Sequence, residues 1–137
     1  MRIEHLIMES INQKAVCEVL PMKQIIKNID PEKSLSIVDQ VLYQPGQIVS
    51  KTLVQNFHHS LTLFAFDRGE EIRSHESGGD AMVIVLDGKG IITIDGKEHL
   101  VDAGKTILMP AKKPHAVRAA EQFKMLLIVI FPEEVDQ

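Results

Sequence analysis

Two segments of the chain carry side chains that could do chemistry, Gly69 to Gly88 and Gly104 to His115. The first contains His75, Ser77 and, after a two-glycine turn, Asp80. Only one residue separates His75 from Ser77, so on a strand both side chains point to the same face. Imidazole nitrogens and carboxylate oxygens are ligands that Fe(II), Mn(II), Ni(II) and Zn(II) accept. These residue types are therefore candidates for a metal or small-molecule site.

The two segments resemble the two motifs of the cupin superfamily. The first motif of that family reads Gly, five residues, His-x-His, three or four residues, Glu, about six residues, Gly. The second reads Gly, five residues, Pro-x-Gly, two residues, His, three residues, Asn. The matching positions are Gly69, His75 and Gly88 in the first motif and Gly104, Pro110 and His115 in the second. The resemblance covers about Leu61 to Phe131, and it implies an all-β, cupin-type double-stranded β-helix, or jelly-roll barrel.

The resemblance also implies a metal-ligand set, in which this chain departs from the family. His75 and His115 take the first and last histidine positions, Ser77 replaces the second histidine, and Asp80 replaces the glutamate with a side chain one methylene shorter. The implied ligands for Fe, Mn, Ni or Zn are then His75, Asp80 and His115, with water completing the shell. In the alternative interpretation, the two histidines are polar lining of a pocket or hydrogen-bonded core residues, and Asp80 hydrogen-bonds a histidine.

Other departures and neighbours of the motifs leave alternatives open. Lys112 and Ala119 stand where the second motif has Gly and Asn. One of the adjacent His58 and His59 could supply a missing ligand if the following strand starts early, or both could lie in a solvated loop. Lys112 could attract an anionic ligand at the pocket mouth, or it could be an ordinary solvated lysine.

The pocket expected inside the barrel is mostly apolar with few polar groups. That mixture suits a small organic ligand better than a bare inorganic ion or a long polar saccharide. The lining expected around the two histidines, Ser77 and Asp80 consists of Met82, Ile84, Met109, Phe64 or Phe66, and Arg73.

Composition sets the broad class and excludes several partners. A chain of 137 residues with 45% apolar and 25% charged residues is typical of one ordinary globular domain. A net charge of -4 indicates no nucleic-acid or anionic membrane partner. The apolar run Met125 to Phe131 is far shorter than the roughly 20 residues of a membrane span, and the amino terminus has no signal-peptide pattern. We therefore expect a cytoplasmic protein, with the single Cys17 as a small buried hydrophobe.

We divide the chain into an amino-terminal helical leader, residues 1–32, and one cupin barrel, residues 33–137. Apolar residues at helical spacing predict a short amphipathic helix from Met1 to about Leu20. Pro21 ends it, and Met22 to Ile29 could be a second short helix or an edge strand. The leader packs, in this interpretation, on the barrel or on a partner subunit.

The rest of the chain reads as short β-strands separated by turns, which predicts an antiparallel sandwich or barrel. Asp95-Gly96 is the strongest hairpin signal, because a type I′ turn needs two residues that tolerate positive φ. The predicted strands are Ile48–Val54, Leu61–Phe66, Ile72–Ser77, Ala81–Leu86, Ile91–Ile94, His99–Val101, Thr106–Met109, Ala116–Arg118 and Met125–Phe131.

The strand Ala81–Leu86 is apolar on both faces, and Met125–Phe131 shows the same pattern. Something must therefore cover the outer face of these strands, and the candidates are the leader and a second subunit. Because an uncovered apolar patch favours association, we predict a homodimer.

Three functions are compatible with these observations. The first is a small cupin that binds a small molecule in its barrel, with or without a divalent metal. The second is a metal-dependent enzyme of the dioxygenase or isomerase type, in which a metal polarises a substrate oxygen or activates dioxygen. The third is a sensor module related to the cupin domains of helix-turn-helix regulators, which is the weakest because no DNA-binding region is expected in this sequence. We favour the first, because one histidine of the ligand set is missing.

Overall fold

A computed structural model describes residues 24–133 of the chain. The predicted helix from Met1 to Leu20 and Cys17 lie outside the described residues. Of the predicted helix or edge strand at Met22 to Ile29, the described part belongs to neither kind of element. It runs beside the first strand of the barrel instead, where the Lys27 amide donates to the Leu53 carbonyl at 2.8 Å.

Within residues 24–133, all nine predicted strands are confirmed, with ends that differ by a few residues. A short 3₁₀ helix at Ile37–Gln40, which was not predicted, precedes them. The strands are β1 Ile48–Gln55, β2 His59–Phe66, β3 Glu71–His75, β4 Asp80–Asp87, β5 Lys89–Ile94, β6 Lys97–Asp102, β7 Thr106–Met109, β8 His115–Ala119 and β9 Phe123–Ile130.

The strands form two antiparallel sheets that face each other as a jelly roll, which confirms the predicted fold class. The larger sheet has the order β1-β2-β9-β4-β7 and the smaller has the order β3-β8-β5-β6. Strands β8 and β9 are consecutive in the chain but belong to different sheets, as is usual when two sheets are wound together. The histidine strands β3 and β8 are neighbours in the smaller sheet, and β3 is its edge.

The β5–β6 hairpin has the type of turn that its sequence predicts. Asp95 has φ of 51° and Gly96 has φ of 83°, so both central residues adopt the left-handed region that a type I′ turn requires. The predicted hairpin is confirmed. Its register pairs Ile94 with Lys97 and Ile92 with His99.

The core lies between the two sheets and is centred on aromatic residues. Phe66 and Phe123 are fully buried, and their rings stack with centroids 4.6 Å apart. Burial of each such side chain stabilises the fold by about 1.5–3 kcal/mol. Gly90 leaves room for the Phe123 ring, since a Cβ at this position would lie 2.8 Å from two ring carbons.

The outer face of the larger sheet is partly covered by the chain itself. Val41 is buried there against Leu63 and Ala65 of β2. Lys124 of β9 anchors the covering segment, because its Nζ donates to the Val38 carbonyl at 2.6 Å and lies 4.9 Å from the centre of the Tyr43 ring. The covering residues therefore come from the segment just before the barrel, which includes the 3₁₀ helix.

The backbone around Gly88, the last residue of the first motif, shows why glycine is required at this position. It has φ of +73°, and a Cβ would lie 1.8 Å from the carbonyl oxygen of Gln122. Gly104 has a similar φ of +88°, yet a Cβ there would meet nothing within 4 Å. The two glycines thus share a backbone constraint, and only Gly88 adds a steric one.

We therefore expect Gly88→Ala to destabilise the protein far more than Gly104→Ala. The control substitution, Gly104→Ala, should lower the free energy of unfolding by about 1 kcal/mol, the lower end of the usual penalty for an alanine with left-handed backbone angles. Gly88→Ala should cost at least about 2 kcal/mol more, because the β8–β9 turn must move. Thermal unfolding followed by circular dichroism measures the difference, at roughly 3 °C per kcal/mol for a domain of this size. Equal melting temperatures for the two variants would contradict the proposed contact.

Candidate functional site

His75 and His115 are brought together by the pairing of β3 with β8. The two residues are direct cross-strand partners, and their rings meet edge to face with centroids 4.4 Å apart. Both line a cavity of about 170 Å³ between the sheets. Its other lining residues are Phe64, Ile72, Ser77, Ala81, Met109, Val117, Met125, Leu127 and Val129.

A strand irregularity turns His75 toward this cavity. Ile72 and His75 both line it, although residues three apart on a regular strand face opposite sides. The register between β3 and β8 shifts between these two residues, and an extra residue of this kind reverses the alternation. The bulge is therefore what allows the apolar Ile72 and the imidazole of His75 to share one cavity.

Backbone carbonyl groups determine which imidazole nitrogen is available. His75 Nδ1 lies 3.0 Å from the carbonyl oxygen of Arg73, and His115 Nδ1 lies 3.1 Å from that of Lys113. A carbonyl oxygen only accepts, so each Nδ1 must carry the proton and donate it. In the neutral ring, Nε2 is then unprotonated. Both histidines thus offer a lone pair on Nε2, at the edge of the ring away from its own backbone.

The two histidines differ in burial. His115 is only 4% exposed, whereas His75 on the edge strand is exposed. Burial lowers the pKa of His115, and the nearby His75 lowers it further, while the bond to the Lys113 carbonyl acts in the opposite direction. His115 is therefore neutral at pH 7. It lies at the buried end of the cavity, and His75 lies at the mouth of the cavity.

Asp80 does not join the histidines, contrary to the sequence-based expectation. It begins β4, whose buried residues Ala81, Val83 and Val85 alternate with the outward-facing ones. Asp80 is exposed, and its Oδ1 accepts a hydrogen bond from the Ala111 amide at 2.8 Å. Its role is to tie the start of β4 to the loop after β7.

The glutamate position of the cupin motif belongs to Ala81 instead. Three residues separate Ser77 from Ala81, as the motif specifies, and Ala81 lines the cavity. Counting the motif spacing could have revealed this, because only two residues separate Ser77 from Asp80. Within residues 24–133, no group of three or more His, Cys, Asp and Glu side chains is placed to hold a metal ion.

Three further expected lining residues also lie elsewhere, as does one of the two phenylalanine alternatives. Met82 and Ile84 lie on the outer face of β4 with Asp80, for the same reason of alternation. Arg73 is exposed and contributes only its carbonyl oxygen, which accepts from His75. Phe66 is buried in the core between the sheets rather than at the cavity wall.

Phe64, Met109 and Ser77 do line the cavity, and several apolar neighbours were missed. The missed residues face inward on β3, β4, β8 and β9, and reading the alternation outward from His115 would have found Val117. Those on β9 carry no such signal, because that strand is apolar on both faces. The missed residues are Ile72, Ala81, Val117, Met125, Leu127 and Val129.

Ser77 and Lys112, which stand at the histidine and glycine positions of the two motifs, both take part in turns. The Ser77 Oγ accepts from the Gly79 amide at 3.2 Å, and the Ser77 carbonyl accepts from the Lys112 amide at 2.8 Å. Lys112 occupies the motif's glycine position with φ of 66°. Its exposed side chain lies at a shallow surface hollow beside Asp80, outside the cavity.

The other candidate histidines lie elsewhere. His58 is exposed in the β1–β2 turn, where its amide donates to Asn56 Oδ1 at 2.8 Å. The His59 Nε2 lies 3.4 Å from Asn56 Nδ2. Neither residue lines the cavity, so neither supplies the missing ligand.

Burial of neutral His115 predicts a pH-dependent stability. The folded chain has the lower pKa at this group, so as pH falls below about 6.5 the unfolded chain takes up the proton first and the free energy of unfolding falls. The slope is at most about 1.4 kcal/mol per pH unit for one proton. We expect His115→Gln to flatten the profile of urea unfolding between about pH 7.5 and 5.5, while His58→Ala retains it. A profile unchanged in His115→Gln would show that another group is responsible.

Comparisons with known proteins agree with the fold and the motifs. Residues 62–131 match the cupin domain family. None of the curated proteins matches this sequence. Within the described residues, no helix is long and apolar enough to cross a membrane.

Solved structures include relatives of substantial identity. A conserved protein of unknown function from Streptococcus pyogenes is 44% identical, with a TM-score of 0.81 over 83% of this chain and 100% of that chain. A cupin superfamily protein from Desulfitobacterium hafniense is 29% identical, with a TM-score of 0.75 over 78% of this chain and 98% of that chain. A cupin 2 conserved barrel domain protein from Leptotrichia buccalis is 43% identical, with a TM-score of 0.69 over 70% of this chain and 47% of that chain. By its sequence motifs, its fold and these similarities, the chain belongs to the cupin superfamily.

Proposed function

We propose that this cupin binds a small organic molecule in the cavity between its sheets, where the imidazoles of His75 and His115 hold the polar group of the ligand. The observation that carries the proposal is the pair of imidazoles, each with its Nδ1 hydrogen-bonded to a backbone carbonyl, at a cavity whose lining among residues 24–133 is otherwise almost entirely apolar. Apolar walls with a few convergent polar groups are typical of small-molecule sites.

A complete cupin metal set does not fit these residues. Two of its four positions are occupied by Ser77 and Ala81, so that no carboxylate of the described residues lines the cavity, and a serine hydroxyl is a poor ligand for divalent metals at neutral pH. Asp80 cannot compensate while its Oδ1 is engaged by the Ala111 amide on the outer face. The enzyme alternative, a dioxygenase or isomerase with a metal on His75, Asp80 and His115, therefore lacks the carboxylate it needs.

A divalent transition metal held by the two histidines alone is a second candidate, and one observation favours it. Metal-binding histidines usually donate their second ring N–H to a carbonyl or carboxylate, as both of these residues do. Such a metal would need water or an organic chelator for the rest of its coordination shell. We rank this candidate second, because two imidazoles form only half of the usual set.

Elemental analysis and native mass spectrometry of the untagged protein, purified without chelator, distinguish the two candidates. We expect well under one mole of transition metal per chain, and an organic ligand released on denaturation. His115→Ala should lose that ligand, whereas His58→Ala, which alters a histidine outside the cavity, should keep it. A near-stoichiometric amount of Fe, Mn, Ni or Zn that disappears in His115→Ala would overturn the ranking in favour of the metal.

The position assigned to the missing carboxylate can be tested by restoring the family's ligand set. The double variant Ser77→His and Ala81→Glu places an imidazole and a carboxylate at two positions that line the cavity. Without metal it should be destabilised by roughly 1–3 kcal/mol, because the cavity becomes crowded and a carboxylate is buried. Zinc or manganese should restore its melting temperature and bind at about one ion per chain.

The matched control is Ser77→His with Asp80→Glu. It keeps the carboxylate at the position first expected from the sequence, which lies on the outer face. Equal metal binding by the two double variants would contradict the assignment of Ala81 to the cavity.

The homodimer and the cytoplasmic location stay predictions. Support for the dimer comes from the outer face of the larger sheet, where Leu108 and Ile130 are each 55% exposed. Leu108 pairs with Met82, and Ile130 pairs with Asp80. These two apolar side chains thus lie on β7 and β9, the strands that flank β4, near the residues where β4 begins.

A further inference from the structure

The hydrogen-bonding capacity of the cavity restricts the chemistry of its ligand. Both imidazoles offer an acceptor, because each Nδ1 proton is already donated to a carbonyl. Ser77 Oγ accepts from the Gly79 amide, so its hydroxyl proton remains available for donation. A ligand hydroxyl satisfies both needs, since it can donate to an Nε2 and accept from Ser77.

The charge around the cavity excludes strongly anionic ligands. Among residues 24–133, no lysine or arginine side chain lines it, and the nearby Arg73, Lys112 and Lys113 are exposed. An anion would need a positively charged partner, whereas the polar lining consists of Ser77 and two histidines whose Nδ1 atoms are already bonded to backbone carbonyls. A carboxylate or phosphate would therefore be buried without a counter-charge, which is costly.

The size of the cavity limits the ligand to about one ring. Its volume is about 170 Å³, close to that of an engineered apolar cavity of about 150 Å³, in another protein, that binds benzene. The exposed His75 lies at the mouth, and Phe64 and Leu127 belong to the opposite sheet. A ring fills the apolar part of this space, with its polar group directed to the β3–β8 side.

The apolar wall favours an aromatic ring over an aliphatic one. Met109 and Met125 are almost fully buried, and both line the cavity with Phe64. Thioether sulfur atoms make favourable contacts with aromatic ring edges, and aromatic rings pair well with one another. An aliphatic ring of the same size gains only the burial of apolar area.

Building on the proposed function, we propose that the ligand is a phenol-class molecule: a single aromatic ring with an un-ionised hydroxyl group that donates to an imidazole Nε2 and accepts from Ser77. The ring lies against Phe64, Met109 and Met125. Substituents that extend past His75 reach solvent through the mouth. The hydroxyl is recognised directly by the protein, without a bridging ion.

Calorimetric titration of the whole protein at pH 7.5, with chelator present, tests this ligand class. The reference probe is phenol. Toluene lacks the hydroxyl group, anisole lacks the hydroxyl proton, benzoate carries a negative charge, and cyclohexanol lacks the aromatic ring. We expect phenol to bind roughly tenfold more tightly than toluene or anisole, as about 1.4 kcal/mol of hydrogen bonding would give. Cyclohexanol should be weaker than phenol, and benzoate should not bind.

Variants assign the preference to particular side chains. His115→Gln and Ser77→Ala should each reduce the preference for phenol over toluene, and His58→Ala should leave it unchanged. Ser77→Ala is a small change on a turn, so it keeps the test valid even if His115→Gln does not fold. A preference for phenol that survives in both cavity variants would overturn the assigned contacts.

The outcomes separate this inference from the proposed function on which it rests. If toluene and anisole bind as tightly as phenol, or benzoate binds best, the hydroxyl inference is wrong and the organic-ligand proposal survives. If none of the probes binds, and no organic molecule is released from the purified protein, the proposed function itself is wrong. Phenol binding that appears only after zinc or manganese is added would overturn direct recognition by the histidines.

Discussion

The bulge on β3 is the constraint on which the rest of the site depends. β3 is an edge strand that pairs only with β8, and its register with β8 shifts between Ile72 and His75. The shift reverses the side-chain alternation, so that His75 faces the cavity and meets His115 across the pair. Without it, the ring of His75 would face solvent, and His115 would be a lone buried imidazole.

Replacement of two residues of the cupin motif changes the side chains that line the cavity. Ser77 and Ala81 are smaller than the histidine and glutamate of the family motif, and both line the cavity. The space and the apolar surface that they leave suit an uncharged organic group. The remaining imidazoles are held by backbone carbonyls in one tautomer, so the site is organised to accept a hydrogen bond or to bind a cation through Nε2.

The two faces of the larger sheet serve different purposes. Its inner face carries the core and the cavity wall, including Phe66 and Met125. Its outer face is partly covered by the segment before β1, which buried Lys124 anchors through the Val38 carbonyl and the Tyr43 ring. The Tyr43 hydroxyl in turn donates to Asp87 at 2.6 Å. Burial and the bond to Asp87 raise the pKa of Tyr43, which keeps it a hydrogen-bond donor at any physiological pH.

The strands, the β5–β6 hairpin and the superfamily could be predicted from the residues alone, because alternation, turn residues and motif glycines are local properties of the chain. Asp95 and Gly96, for example, specify their turn through their own backbone preferences. The order of the strands in each sheet depends on contacts between distant residues, so local patterns did not predict it.

The set of side chains that share the cavity likewise depends on how the strands pair and pack. Strands that are apolar on both faces, such as β4 and β9, do not reveal which face points inward, and so Met82 and Ile84 were expected where Ala81 lies. The bulge at β3 has no local sequence signal, since it arises from pairing with β8. The tautomers of His75 and His115 likewise depend on carbonyl groups that the folded backbone positions, and these determine what the cavity can bind.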